Sequence, residues 1–192
     1  SLIIFFSFTS NVTGHYAILA QEIANGNWYQ AGIVFGWISL FFLGNFVSNL
    51  CFVNRSRSKY LSHTLPLIFE IACLMFVGMY LQFYYANRLW ETELMVATML
   101  FAMGLQNVLT ASISNMSLKT THLTGLTTDL AISFSMLTKS EHRENEAVVN
   151  KTKLLLTVLL SYMSGGILAG VGYIELQNNV FYVVSAALEI GR

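Results

Sequence analysis

Three stretches of this chain, Ala31 to Val53, Leu94 to Leu118 and Leu154 to Ile174, contain no Asp, Glu, Lys or Arg, and a fourth, Thr64 to Tyr85, contains only Glu70. A bilayer's hydrocarbon layer is about 30 Å thick and takes roughly 20 apolar residues to cross as a helix. Each stretch is long enough. No water reaches the backbone at that depth, so a spanning segment must satisfy its own N–H and C=O groups, which a helix does internally. Composition agrees: 55% of the 192 residues are hydrophobic and 10% are charged. The apolar ends, Ser1 to Phe8 and Gln177 to Ile190, bring the expectation to about six crossings in an all-α integral membrane protein.

Cys51 and Cys73 lie inside apolar segments with no CxxC spacing, so they read as packing residues rather than as a disulfide or a zinc site. The start has neither a basic leader nor an A-x-A site, unlike a cleavable signal peptide.

Loop charge gives a direction to each crossing, because Lys and Arg are retained on the cytoplasmic side. The segment 54–63 carries Arg55, Arg57 and Lys59, and the segment 139–153 carries Lys139, Arg143, Lys151 and Lys153. Both are expected inside. The connections Asn25 to Gln30, Asn87 to Glu93 and Glu175 to Asn179 hold only Arg88 as a basic residue and are expected outside. Trp28, Tyr29, Trp90, Tyr173 and Tyr182 cluster near those outer ends and read as interfacial anchors. The segment from Thr121 to Leu137 then lies between two ends assigned to the same side, so it must re-enter or lie along the interface.

One sequence frame occurs twice. Asn11-Val12-Thr13-Gly14-His15, followed by Leu19-Ala20, matches His122-Leu123-Thr124-Gly125-Leu126, followed by Leu130-Ala131, with identical spacing. Each copy precedes a long span containing glycines: Gly32, Gly36 and Gly44 in one, Gly165, Gly166 and Gly170 in the other. This divides the single transmembrane domain 1–192 into repeats at 1–87 and 94–192, each with three crossings and one short TG helix. Three being odd, the second repeat enters the membrane in the opposite sense. Inverted repeats with broken helices are a construction used by many secondary transporters, which hold substrate near the midplane.

The densest polar cluster runs from Lys119 to Asp129. Polar groups at membrane depth are costly unless buried in protein or lining a cavity. A helix starting near Thr121 or His122 would direct its free N–H groups and positive dipole end at an anion or carboxylate. The competing reading makes the Thr and Asn residues helix caps, with Gly14 and Gly125 allowing close crossing. Gln106 and Asn107 either line the same cavity or join two spans by a hydrogen bond. Glu70, and Glu189 in the corresponding place of the second repeat, are intramembrane carboxylates suited to proton coupling. Alternatively, Glu70 reaches toward the basic loop. His15 with Glu22 and His122 with Asp129 share one spacing and could move protons. The pairs Gly32 and Gly36, Gly44 and Ser48, Gly165 and Ala169, and Gly166 and Gly170 form small-residue faces for helix packing.

Taken together, Gly104-Leu105-Gln106-Asn107, Thr120-Thr121-His122-Leu123-Thr124-Gly125 and Thr128-Asp129-Leu130 make the chain resemble the YoaK-like family of uncharacterised bacterial integral membrane proteins. The likeness covers nearly the whole chain. After the first TG pair, where the family pattern usually has Asn, this chain has His15. The resemblance implies about six helices in a bacterial inner membrane and supplies no substrate.

The leading expectation is a transporter or channel for a small polar or anionic solute. Asn11, Thr13, Gly14, Gln106, Asn107, Thr121, His122, Thr124, Gly125 and Asp129 would line its path, with Glu70 as the proton-coupling group. Its partners would be the lipid bilayer and the solute, with a homodimer compatible with the small subunit. No cofactor, metal site or nucleic-acid binding is expected. The alternatives are an enzyme acting on a lipid or isoprenoid, with His122 and Asp129 as acid and base, and a membrane scaffold. HExxH, GxSxG and phosphate-loop motifs are all missing from the sequence.

Overall fold

The structure, a computed structural model, describes residues 11–53, 59–113, 123–143, 145–176 and 179–190. These residues form α1 (Val12–Ala24), α2 (Trp28–Val53), α3 (Lys59–Phe83), α4 (Leu89–Ile113), α5 (Leu123–Leu137), α6 (Ser140–Arg143), α7 (Glu146–Leu176) and α8 (Val180–Ile190). The fold is all-helical among the described residues. Four helices, α2, α3, α4 and α7, are long and apolar enough to cross a membrane, and they coincide with the four charge-poor stretches. The basic segment 139–153 is not a loop throughout. Because α7 begins at Glu146, Lys151 and Lys153 stand in its first two turns. Those turns bring polar side chains to the helix end, where a spanning helix can extend into the interface.

The centre of the bundle is α2 against α4, with α3 packed on both. A hairpin joins α3 to α4, and Glu91 holds it closed. Glu91 Oε2 accepts from the backbone N–H groups of Ala86 at 2.9 Å and Arg88 at 3.1 Å, while Tyr80 donates its hydroxyl to Oε1 at 3.4 Å. Asn87 takes the left-handed conformation, φ 57°, that this tight reversal needs. Thus α3 and α4 are antiparallel. By contrast α2 runs parallel to α4: Trp37 donates its indole N–H to the Glu93 carbonyl at 3.1 Å, and further along both helices Gly44 meets Gly104.

At that crossing the two backbones touch. A Cβ added at Gly44 would run into the Phe101 carbonyl oxygen and lie 3.1 Å from Leu105 N. One added at Gly104 would run into the Phe41 carbonyl oxygen and lie 3.0 Å from Asn45 N. Lipid is as apolar as the helices, so close backbone approach supplies much of the attraction between them. The pairing of Gly44 and Ser48 as a packing face is therefore realised. Gly32, Gly36, Gly165 and Gly166 behave otherwise, since a Cβ at any of them would meet nothing within 4 Å among the described residues.

Toward the Arg88 end, Val77, Leu81, Met95, Val96, Leu100 and Phe181 form the main apolar core. Phe181 brings α8 against α3 at Gly78, where an added Cβ would lie 3.0 Å from Phe181 Cβ. The second cluster, Leu126, Leu130 and Leu155, holds α5 against α7. Trp28 and Trp90, at the starts of the parallel helices α2 and α4, are both exposed at one end of the bundle, as interfacial anchors would be.

Candidate functional site

Both TG motifs start short helices that fold back, antiparallel, on the long helix that follows. In the first, Asn11 is the N-cap, its side-chain oxygen accepting from Gly14 N at 3.1 Å, which satisfies one of the orphan donors of the first turn. Asn11 and Thr13 are exposed and Gly14 is half-buried. The helix turns into α2 through Asn25, Gly26 and Asn27, with Gly26 at φ 72°. Glu22 accepts from Asn27 Nδ2 at 2.8 Å across this turn, so its carboxylate braces the hairpin. His15, 3% exposed, packs its ring edge-on against Trp37 at 5.5 Å.

In the second, Thr121 and His122 lie outside the described residues. Thr124 is exposed and Gly125 half-buried. Thr127 and Thr128 donate their hydroxyls to the carbonyls one turn back, Leu123 at 2.8 Å and Thr124 at 3.0 Å. Leu126, the residue matching His15 in the repeated frame, is buried against Leu155. Asp129 faces Lys151 of α7 at 3.8 Å, with both side chains more than half exposed. Its carboxylate thus stands on the α5–α7 seam, about one turn beyond the TG pair.

The two hairpins share a register. His15 and Leu126 each close the first turn of their short helix. Their partners, Trp37 and Leu155, stand equally far into α2 and α7, about 14 Å of helix rise from Trp28 and Glu146 respectively. For α2, which begins at Trp28, that is close to half of a hydrocarbon layer of about 30 Å; in α7 the charge-free stretch begins only at Leu154, so Leu155 stands near its edge. The N-terminus of the first TG helix therefore stands about half a bilayer from Trp28, whereas that of the second stands near the start of the charge-free part of α7, beside Lys151 and Lys153. Packing between α1 and α5 themselves is slight at most; α1 rests on α2, and α5 on α6 and α7.

Beside the Gly44–Gly104 crossing, α2 and α4 enclose an open groove of about 330 Å³, lined by Phe42, Asn45, Phe46, Asn49, Asn107, Val108 and Ala111. Asn107 is buried there, whereas Gln106, half-buried, is not among the lining residues. Asn45, one of the lining residues, donates Nδ2 to its own helix at the Phe41 carbonyl, 2.8 Å away. Asn45 and Asn49 were not among the residues expected from sequence. Their one-turn spacing in a span without charges, next to the Gly44 and Ser48 pair, is the signal that could have found them.

Glu70, on α3, is 5% exposed, and its Oε2 has no hydrogen-bond partner among the described residues. Antiparallel packing on α4 puts it at about the depth of Ala102 to Leu105, level with the glycine crossing. Its burial holds the carboxyl inside the bundle instead of reaching for the basic end of α3. The side chain of Glu189 lies outside the described residues. Among the described residues, no cluster of three His, Cys, Asp or Glu side chains is arranged to hold a metal.

No curated protein and no solved structure matches the chain. A family model described as a protein of unknown function (DUF1275) matches residues 1–190, and the YoaK-like resemblance falls within it. The chain, with its four charge-poor spans and its match along nearly the whole length, belongs to the DUF1275 family.

Proposed function

We propose that this protein is a small membrane transporter or channel built from two inverted repeats, 1–87 and 94–192, which moves a small polar solute past the two TG helices. The observation that carries the reading is the shared register of the hairpins. Two short helices with one sequence frame each fold back over an equal length of the long helix that follows, an arrangement that fits the repeated, broken-helix construction of secondary transporters. The inverted sense is supported by the course of the chain. Gly172, near the end of α7, lies against Val180, and Phe181 lies against Gly78 of α3, near the Arg88 end. On that course α7 finishes at the end of the bundle where α2 starts.

In this reading Asn11, Thr13, Gly14, Thr121, His122, Thr124, Gly125 and Asp129 border the path, Gln106 and Asn107 extend it, and Glu70 exchanges a proton. The basic segments 54–63 and 139–153 face the cytoplasm of a bacterial inner membrane. Depth would make the first TG helix chemically useful, because a helix N-terminus in low dielectric presents unsatisfied N–H groups to a solute that has lost its water. Purified protein in vesicles tests it by solute flux in wild type and in His122→Ala and Gly125→Leu. Flux abolished in both variants, with detergent stability close to wild type, is the expected result. Wild-type flux in both variants would remove the TG helices from the path.

A further inference from the structure

Resting on the transport reading, we propose that the groove between α2 and α4 is a solute subsite selective for uncharged molecules that both donate and accept hydrogen bonds, such as small polyols and amides. Its polar lining consists of three carboxamides, Asn45, Asn49 and Asn107, and includes no ionisable side chain. A carboxamide offers an acceptor oxygen and two donor N–H groups, so it serves a hydroxyl or an amide equally well and carries no net charge to neutralise an ion.

Depth sharpens this selectivity. Asn45 and Asn107 lie about 25 Å of helix rise beyond Trp28 and Trp90, so the groove is still within the far part of the hydrocarbon layer. An ion brought there would leave water without meeting an opposite charge in the groove's lining, which is heavily penalised. A neutral solute would exchange water for carboxamide hydrogen bonds.

The remaining lining fits the carbon side of such a molecule. Phe42 and Phe46, which alternate with Asn45 and Asn49 along α2, stack with centroids 6.4 Å apart and planes within 16° and give the groove an apolar part. The volume of about 330 Å³ equals roughly ten water molecules and lies at the small end of ligand pockets. One side of the groove is bounded by the Gly44–Gly104 contact, where the backbones leave no room for a solute.

The test reconstitutes the full chain in phosphatidylcholine vesicles and follows osmotic entry of glycerol and of urea by light scattering, with potassium acetate and potassium phosphate in parallel. Glycerol or urea entry above that of empty vesicles is expected, without acetate or phosphate entry. In Asn49→Leu it should fall about tenfold, the loss of one to two hydrogen bonds. Asn49→Gln, which keeps the carboxamide, should retain most of it. Asn49 is exposed, so helical circular dichroism should be unchanged in both variants. Acetate or phosphate flux that Gly125→Leu abolishes, with no neutral flux, would overturn the selectivity and leave the transport reading standing. Neutral flux equal in wild type and Asn49→Leu would overturn the groove as its site. No flux of any probe would overturn both readings.

Discussion

Gly104→Ala adds one methyl group at the point where α2 and α4 touch. The added Cβ faces Asn45 N at 3.0 Å and the Phe41 carbonyl more closely still, and both are backbone atoms that no rotamer change can move. An ordinary carbon–oxygen contact is about 3.3–3.6 Å, so the helices must separate by roughly 1 Å at this level. Separation stretches the packing on either side, including the Trp37 to Glu93 bond at 3.1 Å. Overpacking of this kind costs about 1–3 kcal/mol. Gly165→Ala is the matched control: it makes the same change in a spanning helix, meets nothing within 4 Å, and should fall between neutral and about 1 kcal/mol stabilising through helix propensity. The assay is equilibrium unfolding in mixed detergent micelles, followed by circular dichroism and Trp fluorescence. The Gly44→Ala and Gly104→Ala costs should also combine to less than their sum, because the first separation relieves the second clash. If Gly104→Ala loses no more stability than Gly165→Ala, the backbone contact is not what holds α2 to α4.

Trp37→Phe keeps a ring against His15 but removes the indole donor to Glu93 O, and should cost about 1 kcal/mol in the same unfolding assay; an unchanged midpoint would count against that bond. Asn11→Ala removes the cap of α1 and should cost about 1 kcal/mol, most of it recovered in Asn11→Ser, as read by thermal unfolding. Glu91→Ala, which frees two backbone donors of the α3–α4 hairpin, should cost about 2–3 kcal/mol and speed amide exchange at Ala86 and Arg88. Asp129→Asn should change stability by less than about 0.5 kcal/mol, its ion pair with Lys151 being long and exposed, so any large loss of flux in that variant would mark the carboxylate as part of the path.

Absence of charge over bilayer length requires helices in a membrane, because nothing else satisfies the backbone there, and α2, α3, α4 and α7 stand where the charge-poor stretches are. The repeated TG frame was equally legible, since spacing along a chain is unchanged by folding. The sequence could not reveal which face of each helix turns inward. A helix that is apolar all round has no polar face to mark its exposed side, so partner choice falls to shape. That is why Gly44 and Gly104 meet while Gly32, Gly36, Gly165 and Gly166, identical in composition, have nothing against them among the described residues.

The same reason separates the polar residues. Asn107 could be read from its place in a span either as a cavity residue or as an interhelical hydrogen-bond partner, and it now lines the groove, where Asn45 and Asn49 come from the rotation of α2 against α4. Asp129, prominent beside the TG motif, stands on the seam that Leu126, Leu130 and Leu155 hold together and faces Lys151, which belongs to the first turns of α7 and not to a loop. The lone carboxylate of the third helix was visible in the sequence; only packing decided that Glu70 lies buried at the depth of the glycine crossing. Local chemistry and length therefore fixed that the chain crosses a membrane and where, whereas the close contacts between helices, which in lipid depend on shape more than on polarity, decided which side chains face one another.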